Sequence, residues 1–287
     1  MDLQVFNDPI LFKTEVFPFL LQKEAENNLS IGLINQMVEL NRHRNAVLAT
    51  IYDEDQLIGV YIMTPPHPLI SICEKDFEEK AHKRFITYAR QENIDISGVV
   101  AEKNNANKFA DLWSRRTGER AITKMRQRIY FLDSVVDIPV SEGEYLKAVS
   151  KDGDLVAKWI LQFIDDTGVS PLTEDEAKQR AIEMIDNEES VYFWQVNGAP
   201  VSMARRARHT ENGCSVNLVF TPVEYRKRGY GSSVVKTLSL QLLEQYDFCT
   251  LYTDLDYPTS NKIYQNIGYI PIADSIHLEF ESEVVQP

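Results

Sequence analysis

Cysteine is scarce in this 287-residue chain. Cys73, Cys214 and Cys249 stand far apart. Their spacing fits neither a zinc site nor a disulfide frame, so buried free thiols in a reducing compartment are expected, and no metal. Long apolar runs are missing, which argues against a membrane-spanning helix. The opening Met1-Asp2-Leu3-Gln4 lacks the basic start of a secretory signal. Positive charge is in deficit: 30 Lys and Arg stand against 43 Asp and Glu, a net charge of −13. Such a balance disfavours nucleic acid as a main partner, so a cytoplasmic protein without nucleic-acid or membrane partners is expected. The sequence is silent on oligomeric state.

What the chain does have is length for two domains and the composition of an ordinary globular protein, 44% hydrophobic and 25% charged. Apolar spacing predicts a helical stretch over Phe17–Leu40, broken near Asn27 and Asn28, with Ser30 as a cap candidate. Strands are predicted at 46–52, 57–63 and 69–73. A helix is then expected over 77–91, a strand over 96–101, a helix over 106–116 ending at Gly118, and a strand over 125–132. Lys124, Arg126 and Arg128 on that strand either hold an anion or form a solvated sheet face. His67, between prolines, reads as a loop histidine. Pro139, Gly143 and the acidic residues of 134–143 suggest a boundary, giving domains 1–138 and 139–287.

The second half opens with a helix over 155–164. A capping box at Thr173 and Glu176 starts another. Val191–Val196 and Ala199–Arg208 flank Asn197-Gly198, a strong hairpin signal. Cys214–Phe220 follows as a third strand, then a helix over 232–245. A strand over 248–253 should lie parallel to it, because a helix crosses between them. A helix over 261–266 and a strand over 276–280 close the chain.

Between Phe220 and the following helix the chain reads Thr-Pro-Val-Glu-Tyr-Arg-Lys-Arg-Gly-Tyr-Gly-Ser-Ser. Gly229 and Gly231 let a ligand approach the backbone, and a helix N-terminus offers free N–H groups and the positive end of a dipole. Phosphate binds such a place readily. Three motifs compete. A Walker loop needs a lysine that Gly231-Ser232-Ser233 lacks. A dinucleotide fingerprint would place its glycines directly after the strand, and the chain runs out too soon after Asp254 for a doubly wound sheet. The third, Arg-x-x-Gly-x-Gly, is matched by Arg226–Gly231 at every fixed place.

On that motif the second half, from about Tyr145 to Phe280, resembles the GNAT superfamily of N-acetyltransferases. That family carries Gln or Arg-x-x-Gly-x-Gly or Ala between its fourth strand and a helix. Asn261, Tyr264, Gly268 and Tyr269 resemble its closing helix. The resemblance implies an α/β (α+β) fold with a mixed, mostly antiparallel sheet flanked by helices, and acetyl-CoA as cosubstrate. It implies that Val219, Phe220 and Thr221 pair with the pantetheine arm. Arg226, Lys227, Arg228, Gly229, Tyr230, Gly231, Ser232 and Ser233 would hold the pyrophosphate, and Asn261 would contact the cofactor arm. Val219 becomes the candidate donor to the thioester carbonyl, and Tyr264 the acid for the departing thiolate. The alternative for Tyr264 is a core aromatic under the closing helix. No general base is assigned, since Asn217-Leu218-Val219-Phe220 carries no glutamate and Glu224 reads as a loop residue. The implied function is acetyl transfer to a primary amine of a small molecule or protein. A non-catalytic acyl-CoA-binding or regulatory module is the alternative. The element order of the first half suggests a degenerate GNAT-like copy without the glycine loop, and hence two tandem domains.

Overall fold

The computed structural model describes residues 1–40, 45–168, 171–186, 190–256 and 258–282, the side chains of residues 258–260 excepted. The chain forms two compact units. The first is Met1–Ile129, Thr253–Tyr257 and Ile272–Pro287; the second is Tyr130–Tyr252 and Pro258–Pro271. The boundary expected at 138 and 139 follows the chain, whereas the compact division falls at 129 and 130 and returns the C-terminal strand to the first unit. The reason is strand pairing across long sequence separation, which local composition does not report.

In the first unit, β1 (Asp2–Phe6), β2 (Val47–Asp53), β3 (Gln56–Met63), β4 (Leu69–Cys73), β5 (Gly98–Glu102) and β12 (Ile270–Glu281) lie side by side in that order. β4 and β5 are parallel; the other neighbours are antiparallel, with Ser275 of β12 opposite Glu102. Strand alternation sends Leu48, Val60 and Ile62 to one face, against Phe12, Val16 and Leu20 of α1 (Pro9–Leu20) and Ile31 and Ile34 of α2 (Asn28–Leu40). Ala49, Tyr61 and Val99 go to the other, against Phe85 of α3 (Glu78–Gln91) and Phe109 and Trp113 of α4 (Lys103–Thr117). Ser30 does not cap: α2 begins at Asn28 and Ser30 is buried inside it. Gly118 ends α4 in the left-handed conformation, as expected. The charges of β6 (Arg120–Leu132) face the protein's own carboxylates. Arg128 grips Asp274 at 2.6 and 3.0 Å, Arg126 meets Asp256, and Lys124 lies 3.9 Å from Glu279.

The second unit orders β11 (Phe248–Asp254), β10 (Gly213–Phe220), β9 (Ala199–His209), β8 (Val191–Val196) and β7 (Glu144–Lys147). Asn197 and Gly198 both take positive φ, the conformation a two-residue hairpin turn demands. One sheet face packs on α5 (Gly153–Thr167) and α6 (Glu174–Asp186) through Trp159, Ile160, Phe193 and Met203. The other packs on α7 (Tyr230–Leu243) and α8 (Pro258–Ile267) through Val216, Val234, Leu238, Leu251 and Ile267. The capping box forms: Glu176 N donates to Thr173 Oγ1 at 3.3 Å and Thr173 N to the Glu176 carboxylate at 2.8 Å.

The two units repeat one order. A helix pair is followed by three antiparallel strands, a helix, a parallel strand and a closing helix. The mixed, mostly antiparallel sheet flanked by helices is the fold class expected.

Candidate active site

The site begins with two strands that part. β10 and β11 are parallel and pair at only three positions, Gly213 with Phe248, Cys214 with Cys249 and Ser215 with Thr250. At the last of these, Ser215 Oγ and Thr250 Oγ1 share a hydrogen bond of 2.7 Å. Beyond it, β10 bulges. Its register with β9 slips between Asn217, opposite Arg205, and Phe220, opposite Met203. Leu218 takes φ +48° to make the extra residue fit. The bulge sends Leu218 to the α5 and α6 cluster and Val219 to the α7 and α8 cluster. The end of β10 is then fixed by Ser202, whose hydroxyl donates to the Phe220 carbonyl at 3.1 Å and lies 2.8 Å from Thr221 Oγ1.

The loop after β10 is shaped by Arg226. Its Nε donates to the Thr221 carbonyl at 2.8 Å, and its terminal nitrogen meets Asp166 at the end of α5. This folds residues 221–226 back on the strand. Lys227 at φ +64° and Gly229 at φ +81° turn the chain into α7. Ser233 N is the first helical donor, bonding Gly229 O at 3.0 Å. The backbone N–H groups of residues 227–232 find no acceptor among the described residues. Gly231 runs close beneath Thr221, where an added Cβ would sit 3.2 Å from Thr221 Oγ1. Six unpaired amides, the positive end of a helix and the exposed Lys227 and Arg228 make an anion cradle.

The segment 134–143, where the sequence suggested a domain boundary, forms a strap over α7. Val136 N donates to Ile267 O at 2.8 Å, and the buried Lys236 reaches Asp137 at 3.0 Å and the Ile138 carbonyl. Ser141 N donates to Ser233 Oγ at 2.8 Å, and Ser141 Oγ to the Arg228 carbonyl at 2.7 Å. Ser233 Oγ also donates to Gly229 O at 3.1 Å, so both its hydroxyl and its amide are committed to the protein. Ser233 thereby braces the turn into α7. The alternating Val136, Ile138 and Val140 were the available signal for this strap.

Tyr264 lies on α8 in the same apolar cluster as Val219, edge-on to Tyr269 at 6.2 Å. Burial pushes its phenol well above the ordinary tyrosine range. Its hydroxyl bonds to no described residue, yet it is not sealed from solvent. Asn261 is held by Tyr130, whose hydroxyl donates to its Oδ1 at 3.1 Å. Glu224 and Val223 lie on the exposed outer side of the loop.

The corresponding place in the first unit is closed. β4 and β5 pair at Leu69 with Val99 and Ile70 with Val100, then part. Asn105 fills the opening and donates to the Ser71 carbonyl at 3.0 Å. Tyr61, Cys73 and the fully buried His82 fill the rest, with the Tyr61 hydroxyl 2.9 Å from His82 Nδ1. The turn into α3 spans only residues 74–77, and the first helical turn carries Glu78 and Glu79.

This fold, a strand pair that opens toward a glycine turn and helix N-terminus, is the one seen in GNAT acetyltransferase structures. A GCN5-related N-acetyltransferase from Sphaerobacter thermophilus aligns over 97% of this chain and 95% of its own, with TM-score 0.62 and 11% identity. A GNAT-family acetyltransferase from Colwellia psychrerythraea aligns over 98% of this chain and 100% of its own, with TM-score 0.59 and 13% identity. A tandem GNAT protein from the clavulanic acid biosynthesis pathway covers 100% of both chains, with TM-score 0.56 and 9% identity. Residues 196–278 match the family model described as FR47-like protein. That span contains the whole strand–turn–helix unit, and the GNAT resemblance seen in the sequence holds for it. A search of curated proteins gives no sequence match. No helix among the described residues is long and apolar enough to cross a membrane, and no group of His, Cys, Asp and Glu among them could hold a metal ion.

Proposed function

We propose that the second unit is an acetyl-CoA-dependent N-acetyltransferase acting on a primary amine of a small-molecule or protein acceptor. The observation that carries this is the opening of β10 from β11 just where six unbonded amides gather at residues 227–232. The diphosphate is held by those amides, Lys227 and Arg228. Arg226 serves by holding the loop in shape. The pantetheine arm lies along Val219, Phe220 and Thr221, with Asn261 beside it. The division of labour proposed is a cofactor-binding domain 139–287 and a degenerate domain 1–138. In the latter, Asn105, His82 and Tyr61 occupy the strand opening, and Glu78 and Glu79 repel an anion from the helix start.

The reaction is direct transfer. The neutral amine nitrogen attacks the thioester carbon, and a backbone N–H at the bulge, with Val219 the candidate, stabilises the oxyanion. The C–S bond breaks as the C–N bond is completed. The nitrogen loses its extra proton to water, and the thiolate takes one from Tyr264. Burial keeps the phenol protonated, so a proton is on hand, and the same burial makes it a weaker acid.

Calorimetry with acetyl-CoA and thiol release with a panel of amines test the reading. Binding that is lost in a Gly231→Val variant, together with amine-dependent release of CoA, is expected. No binding of acetyl-CoA to the folded protein overturns the proposal; binding without turnover on any amine favours the non-catalytic module.

A further inference from the structure

We infer that the side-chain carbonyl of Asn217 receives the attacking amine, and that the enzyme leaves the amine's deprotonation to water. This rests on the reading of the second unit as an acetyltransferase.

The argument starts from register. Asn217 stands opposite Arg205, and Arg205 opposite Val191, so all three share the face that packs on α5 and α6. Ser215 and Thr250, two residues back along their strands, form the last parallel pair. Asn217 is therefore the first residue on this face after β10 leaves β11, at the apex of the opening. Tyr252 of β11 follows Thr250 on the same face by strand alternation. Two residues further along β10, Val219 turns to the opposite face. On the β10 side, the first side chain that this face presents beyond the last parallel pair is therefore a carboxamide.

That carboxamide is left incomplete by the protein. Asn217 Oδ1 is sealed from solvent and has no hydrogen-bond donor. A buried acceptor without a donor loses its water and gains nothing in return, so such an atom needs a reason. Asn217 as a residue is only half buried, and rotation about the soft terminal torsion of asparagine turns the oxygen into the opening. A second sealed and unpartnered carboxamide oxygen, Gln162 Oε1, lies on α5 between Trp159 and Asp166. Those neighbours touch Phe220 and Arg226 at the other end of the same strand exit. Both sealed oxygens lack a donor, and the N–H of an incoming amine can supply one.

An amide oxygen accepts a hydrogen bond but is far too weak a base to take the proton. It holds one N–H of the neutral amine and aims the lone pair at the carbonyl carbon. The proton released as the C–N bond forms goes to water. The acceptor's own pKa then governs the rate, with no enzymic base limb added.

The test uses the full chain with glycinamide and ethanolamine as probe amines, whose amino groups titrate at different points inside the range scanned, acetyl-CoA, and thiol release from pH 6 to 10. Acetyl-CoA affinity is measured in parallel by calorimetry. For wild type, kcat/KM for amine should rise with pH to a plateau at the probe's own pKa. Asn217→Leu should lower kcat/KM for amine by about 10- to 100-fold, the loss of one well-placed contact, with acetyl-CoA affinity unchanged. Asn217→Asp should restore part of that rate and add an acid limb to the profile. Unchanged amine kinetics in Asn217→Leu, or a wild-type plateau that does not move between probes, overturns the inference. Failure of wild type to turn over either amine while binding acetyl-CoA also overturns it. Failure to bind acetyl-CoA at all instead overturns the underlying acetyltransferase reading.

Discussion

Ser215 Oγ and Thr250 Oγ1 lie 2.7 Å apart across the parallel strands, and they are the last residues those strands share. Both are buried, and each hydroxyl satisfies the other. The pair acts as a pin at the closed end of the opening. Exchanging Thr250 for Val removes this buried hydrogen bond. A loss of about 1–2 kcal/mol is expected in urea unfolding. Weaker acetyl-CoA binding should accompany it, because the strands lose a fixed parting point. Unchanged binding in a destabilised variant would show that the parting point is set elsewhere.

Tyr264→Phe removes a hydroxyl that bonds to no described residue. Thermal stability and acetyl-CoA affinity should be preserved. Turnover should fall about 100-fold if this phenol supplies the thiolate's proton. Thiol-release kinetics at saturating amine measure it, and a rate within twofold of wild type would return Tyr264 to the status of a packing aromatic.

Gly229 has φ +81°, and an added Cβ would lie 2.5 Å from Ser141 Oγ, which is itself bonded to Arg228. Gly229→Ala should cost about 1–2 kcal/mol of stability through backbone strain. It should weaken acetyl-CoA more than it weakens the fold, since the cradle amides turn with that residue. The melting temperature with and without acetyl-CoA separates the two effects: the ligand-induced rise should shrink.

His82 is the protein's built-in acid sensitivity. Burial lowers its pKa from 6.5 to about 4, with neighbouring Asn105 opposing and Lys108 adding to the effect. The unfolded chain takes up a proton below about pH 6.5, and the native state does not until about pH 4. Stability is therefore lost as pH falls through that window, by on the order of 3 kcal/mol in all. His82→Gln should flatten this part of the profile. Urea midpoints at pH 7, 5.5 and 4.5 would expose an unaltered slope, which would assign the acid loss to carboxylates.

The pair of Arg226 and Asp166 is about two-fifths exposed on each side, so it contributes under about 1 kcal/mol to folding. Its importance lies in the loop it folds back. Asp166→Ala should leave the melting temperature within about 2 °C of wild type and still weaken acetyl-CoA binding severalfold by calorimetry.

Local chemistry was legible in the sequence where one turn decides its own geometry. Asn197-Gly198, Thr173 with Glu176, and the glycines of the cradle each carry their conformation within a few residues. The parallel pairing of β10 and β11 followed from the helix between them. What the sequence hid depended on distant partners. Lys124, Arg126 and Arg128 read as either an anion site or a solvated face, because their partners Asp256, Asp274 and Glu279 lie far along the chain. Ser233 carries a hydroxyl at a helix start, and only the fold shows Ser141 beside it. The N-terminal β1 and the short β7 escaped notice because neither alternates clearly over enough residues. Asn217 was noted only for not being glutamate; its unmet oxygen needed coordinates to see.

The return of β12 to β5 has a consequence for biosynthesis. Residues 98–102 emerge from the ribosome long before residues 275–279, yet they are neighbours in the finished sheet. Until residues 275–279 have been made, β5 has one flank bare and sticky, and the first unit cannot be finished before the chain of the second has been made. A premature stop shortly after Gly268 would spare every cradle residue and still leave the opposite half of the molecule without its finishing strand.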